Sequence, residues 1–390
     1  MPELQLFEWL TLLVRWAHVI TGIAWIGASF YFIWLDLSLE EPPEDQQQLG
    51  VGGQLYAIHG GGIYRASKYR THPTPMPTTL HWFKWEAYST WLTGSALLIL
   101  VYYIQADAWM VSESSWAQTP VQAIGASLLF IFGGLAIYDA LCRALPPRGD
   151  VEIGAFLALI LAGSWLAFTL FAPRAAMLHF GAMLATMMAA NVFLIIIPSQ
   201  KAFVAAIEAG TPVPTDRAAN AKRRSTHNNY LTLPVLFCML VGHAGFVYGH
   251  PHAWLVVAAC ACVAAFTRFY FNEKHLGRHR PVILLLAAIA FLGILVAAAL
   301  TNRNLATAVT GVSRDAVAAL ASKHCAGCHS HNPTQPGYPT APGGLIFETP
   351  EDLRKHGPLV ATSLASNYMP LANLNQLTDE ERAELISWVR

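Results

Sequence analysis

The stretch Cys325-Ala326-Gly327-Cys328-His329 carries the most specific chemistry in this chain. Two thiols at this spacing, followed at once by a histidine, form the attachment site of a c-type haem, with His329 as the iron's first axial ligand. A zinc or redox cysteine pair is the competing reading, since Cys-x-x-Cys alone fits both. His329, the short helix before the pair and a second ligand downstream favour haem. That ligand is Met369, in Asn367-Tyr368-Met369-Pro370. A methionine on a loop roughly forty residues after the proximal histidine is what a His/Met cytochrome c needs, and a thioether there raises the reduction potential. His331 and His356 are the competing ligands, and a core-filling role is the plain alternative for Met369. Such haems are attached on the outer side of the bacterial cytoplasmic membrane, so the chain upstream must deliver residue 325 to that side.

A second group consists of histidines in apolar surroundings. Ionisable residues inside a bilayer are costly enough to be functional suspects. Counting inward at about 1.5 Å per residue, His18, His179 and His243 fall in the half of the membrane facing the attachment site. Arg15 lies three residues before His18 on the same helix face, where a cation could pair with a haem propionate. Two of the three histidines could hold a b-type haem. Hydrogen-bonded core or water-lined histidines are the other reading, and spacing does not select which two.

The third group gathers near the opposite ends of the apolar runs: His59, Tyr64, Lys68, Lys84, Glu86, Asn191, His227, Asn228, Asn229 and Tyr230. Together they suit an anionic, planar, polar ligand. Lys or His can offset its charge, amides can match a carbonyl and N–H edge, and aromatic faces can stack on it. Lys84, Glu86, His59 and His227 are the candidates for proton removal, because a general base must reach the substrate. Asn228, Asn229, Tyr230, Asn191, Tyr64 and Lys68 are the candidates for binding. A solvated loop explains Lys68 and Tyr64 equally well, and a favourable helix N-terminus could explain Glu86.

These residues need a membrane scaffold. With 390 residues, 54% of them hydrophobic and 12% charged, the chain is too apolar for one soluble domain. Its net charge of zero suggests no nucleic-acid partner. The first apolar run, 6–39, starts beside Glu3 and Glu8, is too long for a signal peptide and lacks a small-residue cleavage site, so it reads as a retained helix. Further runs at 86–104, 121–142, 151–171, 175–197, 230–248, 253–271 and 282–300 bring the expectation to about eight crossings of the lipid bilayer. Loops one, three, five and seven hold Arg65, Lys68, Arg70, Lys84, Arg143, Arg148, Lys201, Arg217, Lys222, Arg223, Arg224, Arg268, Lys274, Arg278 and Arg280. Loops two, four and six hold Arg174 alone. Positive loops stay in the cytoplasm, so the N-terminus and the residues after 304 are expected outside, on the side that haem attachment demands.

Around Gly60-Gly61-Gly62 the first loop reads as a small hairpin within 50–80. Cys142, Cys238, Cys260 and Cys262 have no ligand spacing to a histidine and read as buried thiols. Residues 305–390 have the composition of a small soluble domain that would draw much of its core from a cofactor. Ser313 can cap its first helix, and Thr378-Asp379-Glu380-Glu381 is a capping box opening its last. The fold class is therefore all-α: a polytopic helical bundle over 1–304 followed by a class I cytochrome c domain.

Four motifs preceding the cytochrome carry a family resemblance: Arg15-Trp16-Ala17-His18 through Asp36, His59-Gly60-Gly61-Gly62, Leu80-His81-Trp82-Phe83-Lys84-Trp85-Glu86-Ala87-Tyr88 and His227-Asn228-Asn229-Tyr230. With the tethered cytochrome they resemble the membrane-bound, cytochrome c-linked urate oxidases over nearly the whole chain. Gly242-His243-Ala244-Gly245 departs from that pattern in lacking a more polar residue before the histidine. The resemblance implies oxidation of urate to 5-hydroxyisourate in a bacterial inner membrane, with electrons passed to the fused periplasmic haem c or a separate cytochrome instead of oxygen. A soluble cytochrome c or a terminal oxidase would drain them. The competing function is a non-catalytic relay or anchor carrying electrons from quinol to a cytochrome; it would need buried histidines but no dense set of donors and bases.

Overall fold

The computed structural model describes residues 2–112, 115–147, 149–242, 244–304, 311–335, 338, 340–365, 368–370 and 375–390. The chain is mostly helical. Its long helices are α1 (Pro2–Leu37), α2 (Trp85–Leu97, continuing as a π-helical stretch Leu98–Tyr103), α3 (Pro120–Ala144), α4 (Asp150–Leu170) and α5 (Pro173–Ala190). A second π-helical stretch, Asn191–Ile196, joins α5 to α6 (Ile197–Glu208); then come α7 (Thr215–Val241), α8 (Ala253–His275) and α9 (Pro281–Asn304). The C-terminal helices are α10 (Arg314–His324), α11 (Pro350–Lys355), α12 (Gly357–Ala365) and α13 (Asp379–Val389). Strands β1 (Val51–His59) and β2 (Gly62–Tyr69) form the described sheet.

Among the described residues six helices are long and apolar enough to cross a membrane: Leu6–Leu37, Pro120–Ala144, Asp150–Leu170, Pro173–Glu208, Ala253–His275 and Pro281–Thr301. Large side chains such as Leu129, Phe193 and Leu292 point outward from them, as a lipid-facing surface requires. The two other apolar runs fall on α2 and α7. The regular part of α2 is short before its π-helical continuation, and α7 is polar in its first half. Helix α7 starts at Thr215, well before the apolar run. Ala218, Ala219, Ala221, Lys222 and Arg223 are strong helix formers, so the polar segment expected as a loop is wound into the helix. Helix α7 ends at Val241 and a separate turn, Gly245–Tyr248, follows it.

Two compact units are formed by non-contiguous segments. The first comprises Met1–Leu100, Leu184–Val235 and Val263–Ala288. Within it α1 packs along α2. Gly94 permits the contact, because a Cβ there would stand 2.9 Å from Cε1 of His18. The hairpin pairs His59 with Gly62, and its turn residues Gly60 and Gly61 have φ of 55° and 80°. Only glycine adopts two consecutive positive φ values freely, which is why this two-residue turn closes here. Asp36 at the end of α1 anchors the strands by accepting from Lys68 of β2, and it also accepts from Lys222 of α7 at 3.3 Å.

The second unit comprises Val101–Met183, Leu236–Cys262 and Ile289–Arg390. Helix α3 packs on α4, and Ser164 of α4 donates to the Trp254 carbonyl at 2.7 Å. Cys142, Cys238 and Cys260 are buried and Cys262 is half-buried, and among the described residues none of the four is in a disulfide. Helices α10 to α13 enclose a small apolar core around Val317, Ala321, Leu353 and Leu385. Gly357 opens α12 so close to α13 that a Cβ would meet the Val389 carbonyl at 2.5 Å.

Caps fix the ends of these short helices. Ser313 accepts from the Ala316 amide, and Thr378 and Glu381 form a reciprocal capping box. The Thr378 amide, then Lys323, hold the Glu381 carboxyl down from 4.5 to about 2. A depressed folded-state value means that this contribution is complete above pH 4.5 and disappears as pH falls toward 2. Thr378→Ala should cost about 1 kcal/mol, seen as faster hydrogen exchange at α13 amides. Glu381→Gln should flatten the acid dependence of that exchange over the same window. Unchanged exchange in both variants would contradict the capping account.

Candidate functional site

Residues of α10, α12 and α13 and the loops beside them line an open cavity with about 710 Å³ of empty space, the solvent at its mouth included. Cys325, His329 and Met369 all line it, among apolar Leu345, Phe347, Val360 and Leu364. His329 is 8% exposed, and its Nδ1 lies 3.0 Å from the Leu345 carbonyl. A carbonyl only accepts, so Nδ1 carries the proton and Nε2 keeps the lone pair that ligates a metal. Burial holds this imidazole below its usual range and therefore neutral. It also pushes the Cys325 thiol up to about 12.

The methionine segment is held by backbone contacts. The Met369 amide donates to the Ser363 carbonyl at 3.1 Å, and the Arg382 guanidinium donates to the carbonyls of Met369 and Leu364 at 2.8 and 2.9 Å. His331 is exposed and bonded to Glu348, and neither it nor His356 lines the cavity. His324 does line it. Its position at the end of α10 was not singled out in the sequence, although it immediately precedes Cys325-Ala326-Gly327-Cys328. Among the described residues no group of three or more His, Cys, Asp or Glu side chains converges to hold a metal ion. The cavity offers a histidine, a thioether and a thiol to a bulky apolar group, which is a different donor set.

The apolar-run histidines fall in different units. In the first unit His18 Nδ1 lies 3.1 Å from the Thr90 carbonyl and 3.0 Å from Thr93 Oγ1. In the second unit His179 is fully buried, with Nδ1 2.7 Å from the Ala175 carbonyl and its ring stacked on Phe171 at 4.4 Å. Its Nε2 is buried without a hydrogen-bond partner. His243 lies outside the described residues.

The first unit holds the polar group. Its asparagines converge: Asn191 donates to Asn228 Oδ1 at 2.8 Å, Asn228 to the Met188 carbonyl at 2.9 Å, and Asn229 to Asn272 Oδ1 at 3.0 Å. Arg224 donates to Asn191 at 3.3 Å and Arg268 to Asn229 at 2.5 Å. All six are buried. Arg224, Arg268 and Asn272 were missed as site residues, because a charge near the end of an apolar run looks like a loop charge until the helix is traced through it. Asn191 opens the π-helical stretch that precedes Pro198. Proline lacks the N–H that a regular helix needs four residues on, and such π insertions recur at functional sites.

Lys84 and Glu86 sit at the start of α2. Their segment is seated on the asparagine stretch by a buried cluster in which Ala87 meets Val192 and Ile197, with Trp25, Trp82 and Tyr88 around it. Glu86 Oε2 is buried without a hydrogen-bond partner. A buried polar atom left unsatisfied calls for an explanation, and a carboxylate meant for a ligand is one. His227 and Tyr230 are half-buried on α7 beside the asparagines. The remaining candidates are on the hairpin: His59 at its exposed tip, Tyr64 on β2 at 60% exposure, and Lys68 bound to Asp36. Among the described residues no hydrogen bond or ion pair links Lys84, Glu86, His59 or Tyr64 to the asparagine network.

Buried amides and guanidinium groups thus gather in the first unit, on helices that are largely apolar. Over residues 4–299 the chain matches the urate oxidase N-terminal family, and it belongs to that family. Neither a curated protein nor a solved structure matches it. Membership points to an oxidoreductase acting on urate. The matched region ends before Cys325, so the cavity lined by Cys325, His329 and Met369 lies beyond it.

Proposed function

We propose that the chain oxidises urate to 5-hydroxyisourate within residues 1–304 and passes the electrons to a c-type haem held by residues 305–390. The observation that carries this reading is the meeting of Cys325, His329 and Met369 on one apolar cavity, in a chain whose preceding residues belong to a urate oxidase family. The urate anion and one water give 5-hydroxyisourate, one proton and two electrons. Lys84, Glu86, His59 and His227 are the groups proposed to move that proton, and Asn191, Asn228, Asn229 and Tyr230 to form the binding framework. Haem c, joined through Cys325 and Cys328, would supply one-electron redox chemistry, and ligation by His329 and Met369 would set a high potential. The Nδ1 bond of His329 orients its ring for that role, and Arg382 holds the loop that presents Met369.

The membrane arrangement that goes with this reading has about eight crossings, counting α2 and α7 with the six apolar helices, and places both the N-terminus and the cytochrome in the periplasm. Of the histidines proposed for a b-type haem, His18 and His179 each commit Nδ1 to a carbonyl, and the Nε2 of His179 is buried without a partner. A soluble cytochrome c or a terminal oxidase would accept the electrons downstream. Turnover in ¹⁸O-labelled water tests the reaction: the new hydroxyl oxygen should carry the label and no hydrogen peroxide should form. Peroxide produced in step with urate loss would show oxygen to be the direct acceptor and overturn the proposal.

A further inference from the structure

Arg268 is 5% exposed within α8, a helix apolar enough to cross a membrane. Its surroundings neutralise it incompletely. Nε donates to Asn229 Oδ1 at 2.5 Å and the guanidinium lies 4.1 Å from the centre of the Phe30 ring, but Nη2 is buried with no acceptor. Among the described residues no carboxylate forms an ion pair with it; Tyr230 and His275 are the titratable groups within electrostatic reach. Glu273, the nearest carboxylate along α8, pairs instead with Arg278 at 3.6 Å.

A buried cation without a counter-ion is strongly unfavourable. The Asn229 amide is neutral and cannot supply the missing charge; its Nδ2 donates to Asn272. Lys68, one of the lysines considered for recognition, is already bound to Asp36. Pro234 adds a local feature to the site, since it removes the N–H that would otherwise bond the Tyr230 carbonyl inside α7.

We propose that Arg268 is the countercharge for a planar organic monoanion, the urate anion in the reading above, on which this inference rests. An N–H of Nη2 can donate to an anionic carbonyl oxygen, and the planar, permanently charged guanidinium suits a planar anion better than an ammonium. Asn229 then holds the guanidinium in place, and Arg268 carries the affinity for charge.

The test is calorimetric titration of urate into full-length protein reduced with dithionite, so that the haem takes no electrons and urate binds without turnover. Arg268→Gln should weaken binding by about thirtyfold or more, the range for losing one partner of a buried charge pair. Arg268→Lys, which keeps the charge and guards against a misfolded Gln variant, should bind more tightly than the Gln variant and less tightly than the parent. Urate should also raise the melting temperature of the parent more than that of either variant. Equal urate affinity in all three proteins would overturn the inference and leave the urate reading intact. A parent protein that neither binds urate nor accepts its electrons would overturn both.

Discussion

Replacing Cys325 and Cys328 together with alanine should leave the full chain with no covalently held haem, read as loss of haem stain on a denaturing gel and of the haem c band in a reduced pyridine haemochrome spectrum. The expectation rests on geometry as well as on spacing. Cys325 and His329 face the same apolar cavity, and His329 has its Nδ1 proton committed to Leu345. A structural zinc site would instead need four converging donors, and among the described residues no group of three or more His, Cys, Asp or Glu side chains could hold a metal ion. Met369→Ala should keep the haem attached while lowering its potential and removing the weak near-infrared band of a methionine–iron bond. Arg382→Ala should move the potential the same way by a smaller amount, because it frees the Met369 carbonyl without removing the thioether. If the double cysteine variant retains covalent haem, the assignment of the attachment site is wrong.

Lys84→Met, Glu86→Gln and His227→Ala should each slow urate-driven reduction of haem c while haem content stays at the parent level. Loss of a group that moves a proton costs roughly 10²–10⁴-fold in rate, so an effect of that order marks proton transfer and a few-fold effect marks a bystander. Glu86 is the most exacting case, since its Oε2 is buried without a partner and its segment is packed against the stretch that carries Asn191. Lys68→Ala is the control. Lys68 is exposed and bound to Asp36, and its loss should change the rate by only a few-fold. Stopped-flow spectroscopy of the haem band measures all four. Equal rates across the set would remove the proton-transfer role from this end of the helices.

What the sequence reveals depends on how local the determinant is. The hairpin turn is readable because Gly60 and Gly61 must both take positive φ, and the Thr378 to Glu381 box because a cap and its partner are three residues apart. The extent of α7 is not readable from hydropathy, since alanines and basic residues before Tyr230 support a helix without making it apolar. The asparagine network is half readable. Asn191, Asn228 and Asn229 stand out as polar candidates, but Arg268 and Asn272 come from a distant segment and meet Asn229 only through packing. His324 hides for a related reason, as a helix-end histidine is ordinarily a favourable charge at the negative end of the dipole.

The coupling of urate oxidation to the C-terminal cavity is the central claim, and anaerobic addition of urate to the oxidised full-length protein tests it most directly. The haem c spectrum should shift to the reduced form with two electrons delivered per urate consumed, and 5-hydroxyisourate should appear in step. If urate leaves the haem oxidised while a quinol reduces it promptly, the chain is an electron relay and the claim is wrong.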